Sequence, residues 1–272
     1  VALIHPGDTP LEAAKAKIRH WAEAIAPPME RDERIALAQS LQIGSQPNLE
    51  FLGLISASSM LASFGLLQNS ASVIIGAMLI APLMTPIVGA GLALTQGNRP
   101  LFQSAFRTVL LGFVGALVSS MLFGWLYLCF HDPVTTTEMW ARCRPSPLDF
   151  CVGLVGGIAA SYAQTRSHLS SALAGAAIAA ALVPPIATAG LQLAFWQWTE
   201  TEDGIPIVGP LLLVSVNVLT IMIGSSFVLW ARGMRSERSI AARERWVPRT
   251  VALLSLLALL ILIWTLHPFP VA

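Results

Sequence analysis

Long apolar runs separated by short polar segments follow one another along most of the chain, and their lengths are those of membrane-spanning helices. A hydrocarbon layer about 30 Å thick needs roughly 20 apolar residues of helix. By this criterion the pattern predicts seven spans, at about residues 50–67, 71–94, 103–130, 149–164, 170–195, 207–231 and 249–267. The predicted fold class is therefore all-α, a polytopic helical membrane protein.

The first 48 residues break this pattern because they are polar, with no apolar core of a cleavable signal peptide. Thr9, Pro10 and Glu12 have the spacing of a capped helix start. A second short helix is expected at about residues 31–43. We interpret this part as a surface appendage packed on the core or at the membrane interface, with a regulatory arm as the alternative.

Two apolar stretches 99 positions apart carry nearly the same sequence. Residues 76–92 read GAMLIAPLMTPIVGAGL, residues 175–191 read GAAIAAALVPPIATAGL, and nine of seventeen positions are identical without a gap. Each stretch lies in the second of three successive spans. Because three is odd, the second copy enters the membrane from the opposite side. The pattern predicts two inverted three-helix repeats plus one extra C-terminal span, an arrangement found in transporters.

Composition supports a membrane protein. Hydrophobic residues make up 55% of the chain and charged residues only 11%, whereas soluble proteins carry about 25% charged residues. Mean hydropathy is +0.68.

The distribution of basic residues predicts the orientation, because short cytoplasmic loops are rich in Lys and Arg. With seven spans, fourteen of the sixteen basic residues fall on one side, and only Arg142 and Arg144 fall on the other. We therefore expect a plasma membrane protein of a bacterium or archaeon, with a cytoplasmic N-terminus and an outer C-terminus. The predicted segments are an N-terminal appendage (1–48), repeat one (49–131), an outer loop (132–148), repeat two (149–232), a basic cytoplasmic loop (233–248) and the seventh span (249–272).

Proline pairs interrupt the second and fifth spans near their centres. Pro82 and Pro86 lie in one, and Pro184 and Pro185 in the other. Proline removes a backbone donor and clashes with the carbonyl four residues earlier. Such breaks must face protein or water rather than lipid. Two inverted broken helices would meet near the bilayer midplane and present both N–H groups and carbonyls.

A few polar side chains could complete a site at the breaks. Thr85 and Thr188 lie beside the prolines, Ser58 and Ser59 lie in the first span, and Asn217 lies in the sixth. Serine and threonine in membrane helices usually bond a carbonyl of their own helix or pack against a neighbour. Asn217 is harder to satisfy within one helix, so a role in a site is as plausible as a packing role.

Charged residues are missing from the middle of every predicted span, which argues against an acidic proton relay. The expected cargo is a neutral solute, a small anion or a weakly coordinated monovalent cation. No metal-ligand spacing, phosphate loop or nucleophile–base pair is found, so we expect no metal, no cofactor and no enzymatic activity. Cys143 and Cys151 could form a bridge on an oxidising outer side, with free thiols equally compatible.

Three motifs carry a resemblance to a known family. They are SASVIIGAMLIAPLM at residues 70–84, ALVPPIA at residues 181–187, and the leucines at 211–213 followed by Asn217. With them, residues 50–233 resemble the domain of unknown function 389 family, hydrophobic membrane proteins of bacteria and archaea. The resemblance implies family membership and no particular activity.

We hypothesise a transporter or channel for a small ion or polar solute that binds between the second and fifth spans. The alternative is a non-transporting membrane sensor or assembly scaffold. A lipid-modifying enzyme is the least supported class, because no acid cluster or nucleophile–base pair lies near either interface. Expected partners are membrane lipids and the solute, a homo-oligomer is compatible with the chain, and no nucleic acid is expected.

Overall fold

The computed structural model describes residues 29–143, 145–166, 182–195 and 207–234, together with Leu253 and Leu256. Within these ranges the chain forms helices and no β-strand, which confirms the all-α class. The helices are α1 Arg31–Gly44, α2 Leu49–Leu67, α3 Ala71–Ile80, α4 Met84–Gln96, α5 Arg99–Leu128, α6 Thr137–Trp140, α7 Pro147–Gln164, α8 Val183–Phe195 and α9 Val208–Ala231.

Three of the described helices, α2, α5 and α9, are long and apolar enough to cross a membrane. The pair α3 and α4 adds a fourth if it is counted as one bent span. These helices match the predicted spans at 50–67, 103–130, 207–231 and 71–94. Helix α7 matches the span predicted at 149–164 but does not reach the same apolar content. The described residues thus define a membrane protein with three or four candidate spans.

Other predictions fall largely on residues that the structure does not describe. The helix predicted after Thr9 lies outside the described residues. Of the span predicted at 170–195, only residues 182–195 are described, and they belong to α8. Of the span predicted at 249–267, Leu253 and Leu256 are described, and both are helical. The second short helix, expected at 31–43, is α1.

Local sequence signals fix where several helices begin and end. The Asn48 side chain accepts the Phe51 N–H at 2.7 Å at the start of α2. The Asp149 carboxylate accepts the Ser146 N–H at 2.7 Å at the start of α7. Gly97 ends α4 in the left-handed region, at φ 68°, where a residue without a Cβ is favoured.

Helices α4 and α8 form the buried centre of the described structure. All residues of α4 except Thr85 and Gln96 are buried, and so are all residues of α8 except Leu193. The surrounding helices instead expose apolar faces, for example through Leu110 of α5 and Val155 of α7. Buried small-residue centres and exposed apolar rims are expected when the solvent is lipid rather than water.

Basic residues lie together at one end of the helix bundle. Arg232 follows α9, is buried, and donates from Nε to Thr165 Oγ1 at 3.2 Å. Arg34 of α1 donates to the Gly233 carbonyl at 3.3 Å. Burial and the nearby charge of Arg166 lower the pKa of Arg232. Three arginines from distant parts of the chain, Arg34, Arg166 and Arg232, therefore share this end.

Candidate functional site at the helix breaks

The first helix break separates α3 from α4. Helix α3 ends at Ile80, α4 begins at Met84, and the two axes are bent by 56°. Pro82 lies in the short linker and is half-buried, and Pro86 is buried in the first turn of α4. Neither proline can donate to a carbonyl, and Pro86 would clash with the Pro82 carbonyl in a continuous helix. The prolines therefore account for the break.

The second proline pair lies at the start of α8. Pro184 and Pro185 are its second and third residues, and both are buried. Proline is tolerated there because first-turn N–H groups have no partner within the helix. The Ile186 N–H donates to the Leu182 carbonyl at 3.4 Å. Since two of the first-turn donors are missing, this helix start offers fewer N–H groups to an anion than an ordinary one.

Most hydroxyls expected at the site instead hold helices together. Ser58 donates to the Ala77 carbonyl of α3 at 2.6 Å. Ser59 donates to the Ala116 carbonyl of α5 at 2.6 Å and pairs with the Ser120 hydroxyl at 2.5 Å.

Thr188 binds within its own helix, because its hydroxyl donates to the Pro184 carbonyl at 2.9 Å. Ser58 and Ser59 are fully buried as well. These three residues therefore lie near the breaks but already use their donors. The packing role that is usual for such residues accounts for all three.

The surroundings of Thr85 and Asn217 differ from those of Ser58, Ser59 and Thr188. Thr85 is half-buried in the first turn of α4, and its methyl group lies directly against Gly44 at the end of α1. Asn217 is 3% exposed in the middle of α9. A Cβ on Gly153 of α7 would lie 3.3 Å from the Asn217 Oδ1. Both residues thus face neighbouring helices at points where the backbones approach closely.

Sequence reasoning missed the part that α1 plays beside the first break. Leu41 is 1% exposed, and the carbonyl of Ser45 accepts the Ser104 hydroxyl at 3.0 Å and the Thr108 hydroxyl at 2.7 Å. The Ser45 hydroxyl lies against Gly89 of α4. The end of α1 is therefore built into the core. The signal was the isolated small pair Gly44 and Ser45 just before the cap of α2.

The loop after α5 covers the opposite end in a similar way. Met139 of α6 is fully buried, and the Thr136 hydroxyl donates to the Leu66 carbonyl at 2.7 Å. Cys143 is buried, its backbone lies against Gly209, and its sulfur accepts the Gln192 Nε2 at 3.3 Å. No disulfide joins Cys143 and Cys151.

A cavity of about 510 Å³ lies beside the break between α3 and α4 and beside the start of α8. Its walls come from α5 and α9, and its floor comes from residues next to the prolines. The lining residues are Leu83, Ile87, Phe106, Val109, Leu110, Phe113, Leu182, Ile186, Leu211, Val214, Ser215, Val218, Leu219 and Leu253.

Removing the Ser59 hydroxyl tests how much the helix-to-helix bonds contribute. Ser59→Ala leaves the buried Ala116 carbonyl without this donor, so we expect a loss of about 1–2 kcal/mol in stability. The matched control is Ser215→Ala, because Ser215 is exposed and bonds only its own helix. Its change should stay within about 0.5 kcal/mol. Thermal unfolding of the purified protein in detergent measures both, and equal shifts for the two variants contradict the assignment.

These features define the protein as a polytopic α-helical membrane protein with a proline-broken helix at its centre. The chain belongs to the family described as domain of unknown function (DUF389), which matches residues 78–223. It is similar to an uncharacterized protein of Methanocaldococcus jannaschii, with 25% identity over 233 residues, covering 84% of this chain and 70% of that protein. No solved structure matches it.

Proposed function

We propose that the protein is a membrane transporter for a small ion or polar solute, built from two inverted three-helix repeats. In this proposal, residues 49–131 and 149–232 are the two repeats, and their broken helices form the path. It lies in the cytoplasmic membrane with its N-terminus inside and has no enzymatic activity. One observation carries the proposal: helices from the two repeats make swapped, matching contacts.

The swapped contacts join each broken helix to the other repeat. Gly91 of α4 packs on Ser225 of α9, where an added Cβ would lie 2.9 Å from the Ser225 Cβ. Gly190 of α8 packs on Ser120 of α5, with a corresponding distance of 2.6 Å. The glycines are 99 positions apart, as in the repeated sequence, and the serines are 105 apart. Two separate contacts related by one exchange of halves support a two-fold relationship between the repeats.

A second pair of contacts follows the same exchange. The Ser63 hydroxyl of α2 donates to the Ser120 hydroxyl at 3.1 Å. The Ser161 hydroxyl of α7 donates to the Ser225 hydroxyl at 2.7 Å. Ser63 and Ser161 are 98 positions apart. The same serine on the third helix of each repeat thus meets both the first helix of its own repeat and the broken helix of the other.

The segments that close the two ends of the helix bundle, residues 31–48 and 129–146, fit the same relationship. Leu41 and Met139 are both buried, and Ser45 and Cys143 both present their backbone to a residue near the start of a long helix. Each pair is 98 positions apart. We therefore extend the duplication to include residues 31–48 and 129–146. One cover at each end is what a transporter needs if its path opens to one side at a time.

The hydrogen-bonding groups at the breaks restrict the class of solute that can bind. The last carbonyls of α3 have no partner within the helix. Ser58 donates to the carbonyl of Ala77, and Pro82 cannot donate to the others. The starts of α4 and α8 have lost donors to Pro86, Pro184 and Pro185. Backbone acceptors thus outnumber donors along the path. This favours a small cation, or a neutral solute with several N–H or O–H groups, over an anion.

Flux through liposomes tests the proposal. The purified full chain is reconstituted, and uptake of potassium, sodium, ammonium, chloride and urea is compared with empty liposomes. We expect flux of at least one cation or donor-rich solute and none of chloride. Asn217→Ala should lower that flux by about tenfold, the equivalent of one hydrogen bond, while Ser215→Ala on the same helix should leave it unchanged. Flux of chloride alone overturns the solute class, and absence of flux for every solute overturns transport.

The second candidate is a non-transporting sensor or scaffold, and the use of Ser58, Ser59 and Thr188 in packing favours it. In that case Asn217→Ala alters binding of a partner protein while no solute crosses the membrane. The flux panel separates the two candidates, because only a transporter gives a signal in liposomes that contain no other protein.

A further inference from the structure

We propose that the cavity beside the first break and the start of α8, here called the lateral cavity, binds one hydrocarbon chain of a membrane lipid. This inference goes beyond the transport proposal, since it concerns a different ligand in a different place. It rests on the composition of the cavity wall, on the continuity of that wall with the apolar surface, and on the residues that form its floor.

The wall of the lateral cavity excludes polar ligands. Thirteen of its fourteen lining residues are apolar, and Ser215 supplies the remaining side chain. The Ser215 hydroxyl already donates to the Leu211 carbonyl at 2.8 Å. A polar solute placed here would lose its water without gaining hydrogen bonds, which is unfavourable. A hydrocarbon chain has no such cost.

The wall continues into the apolar outer surface of the bundle. Phe106 is 59% exposed and Leu110 is 50% exposed, and both line the cavity. They belong to α5, and the facing wall belongs to α9, which are two of the helices apolar enough to span a membrane. Leu253 also lines the cavity. In a membrane, acyl chains are the apolar molecules at highest local concentration around these helices. Its volume of about 510 Å³ lies within the usual range for ligand sites, about 300–1,000 Å³.

The floor connects the lateral cavity to the break between α3 and α4 and to the start of α8. Leu83 and Ile87 border the break, and Leu182 and Ile186 lie at the start of α8. Each leucine and each isoleucine has its counterpart 99 positions away, and Val109 and Val214 on the walls are 105 apart. The cavity therefore lies between the two halves and touches both in the same way. An acyl chain held there contacts α4 and α8 at once.

Photo-cross-linking in liposomes tests this site. The full chain is reconstituted with a phosphatidylcholine that carries a diazirine in the middle of one acyl chain, and modified residues are mapped by mass spectrometry. We expect adducts on Leu83, Ile186 and Val109, which are buried or half-buried, at yields at least equal to those on Val155, an exposed apolar residue of α7. Adducts confined to exposed faces overturn the proposal.

A variant whose cavity is filled by a larger side chain provides the matched test. Val109→Trp should remove the adducts on Leu83 and Ile186, while Val155→Trp at the exposed face of α7 should leave them unchanged. If Val109→Trp does not fold, as judged by its elution from a sizing column, the adduct map of the unmodified chain decides alone. Floor adducts that persist in a folded Val109→Trp variant contradict the site. Because the readout is a covalent adduct, the result is independent of whether any solute is transported.

Discussion

Gly190→Ala should disrupt the packing of α8 on α5 and cause a large loss of stability. The new Cβ would lie 2.6 Å from the Ser120 Cβ and 2.7 Å from the Leu117 carbonyl oxygen. The carbonyl is a backbone atom, so no change of rotamer relieves the contact. Overpacking typically costs about 1–3 kcal/mol, occasionally more, and we expect a value at or above the upper end.

The matched control is Gly76→Ala in α3, because a Cβ there has no atom within 4 Å. This variant should be as stable as the original or gain up to about 1 kcal/mol from the higher helix propensity of alanine. Thermal unfolding followed by size-exclusion chromatography measures both variants. Gly91→Ala, in the matching contact with Ser225, should lose stability as well. If Gly190→Ala unfolds at the same temperature as Gly76→Ala, the result contradicts close packing of α8 on α5 at this glycine.

Replacing Pro82 and Pro86 together by alanine should straighten the break between α3 and α4. Continuous helical hydrogen bonds become available, and the cost of proline inside a helix, about 3 kcal/mol, is removed. Spin labels at Ser72 and Arg99, which are both exposed, bracket the two helices. From the helix rise per residue, removal of the bend should lengthen the distance between them by about 4 Å. Pulsed electron paramagnetic resonance measures this distance.

Pro100→Ala is the control for the proline variant, because Pro100 lies in the first turn of α5 and interrupts no helical bond. The label distance should not change in it. An unchanged distance in the double variant would mean that packing of α4 in the core, rather than proline, maintains the bend. The same protein can then be tested for flux, where we expect a loss if the break is the path.

The sequence predicted those features that depend on neighbouring residues. Apolar run lengths located α2, α5 and α9, and the proline pairs located the break after α3. The polar sequence of α1 suggested an appendage, and in the structure only Leu41 among its residues is buried. Its role in the core depends on Gly44 and Ser45, whose contacts lie some forty to sixty positions further along the chain.

The use of the candidate hydroxyls could not be predicted from the sequence. Ser58 and Ser59 have the residue types expected of a polar site, but their hydrogen bonds depend on how closely α2 approaches α3 and α5. Helical periodicity tells which residues share a face and not how far away the partner lies. The exchange of contacts between halves could not be predicted for the same reason, because Gly91 and Ser225 are separated by more than a hundred residues.

The contact of Gly91 with Ser225 has a consequence for biosynthesis. Helix α4 is made early, yet the surface against which its Gly91 packs belongs to α9, which is synthesised more than a hundred residues later. The early half therefore enters the membrane with part of its core still uncovered. Until the ribosome has released the late half, a chaperone, the translocation machinery or lipid must occupy that surface.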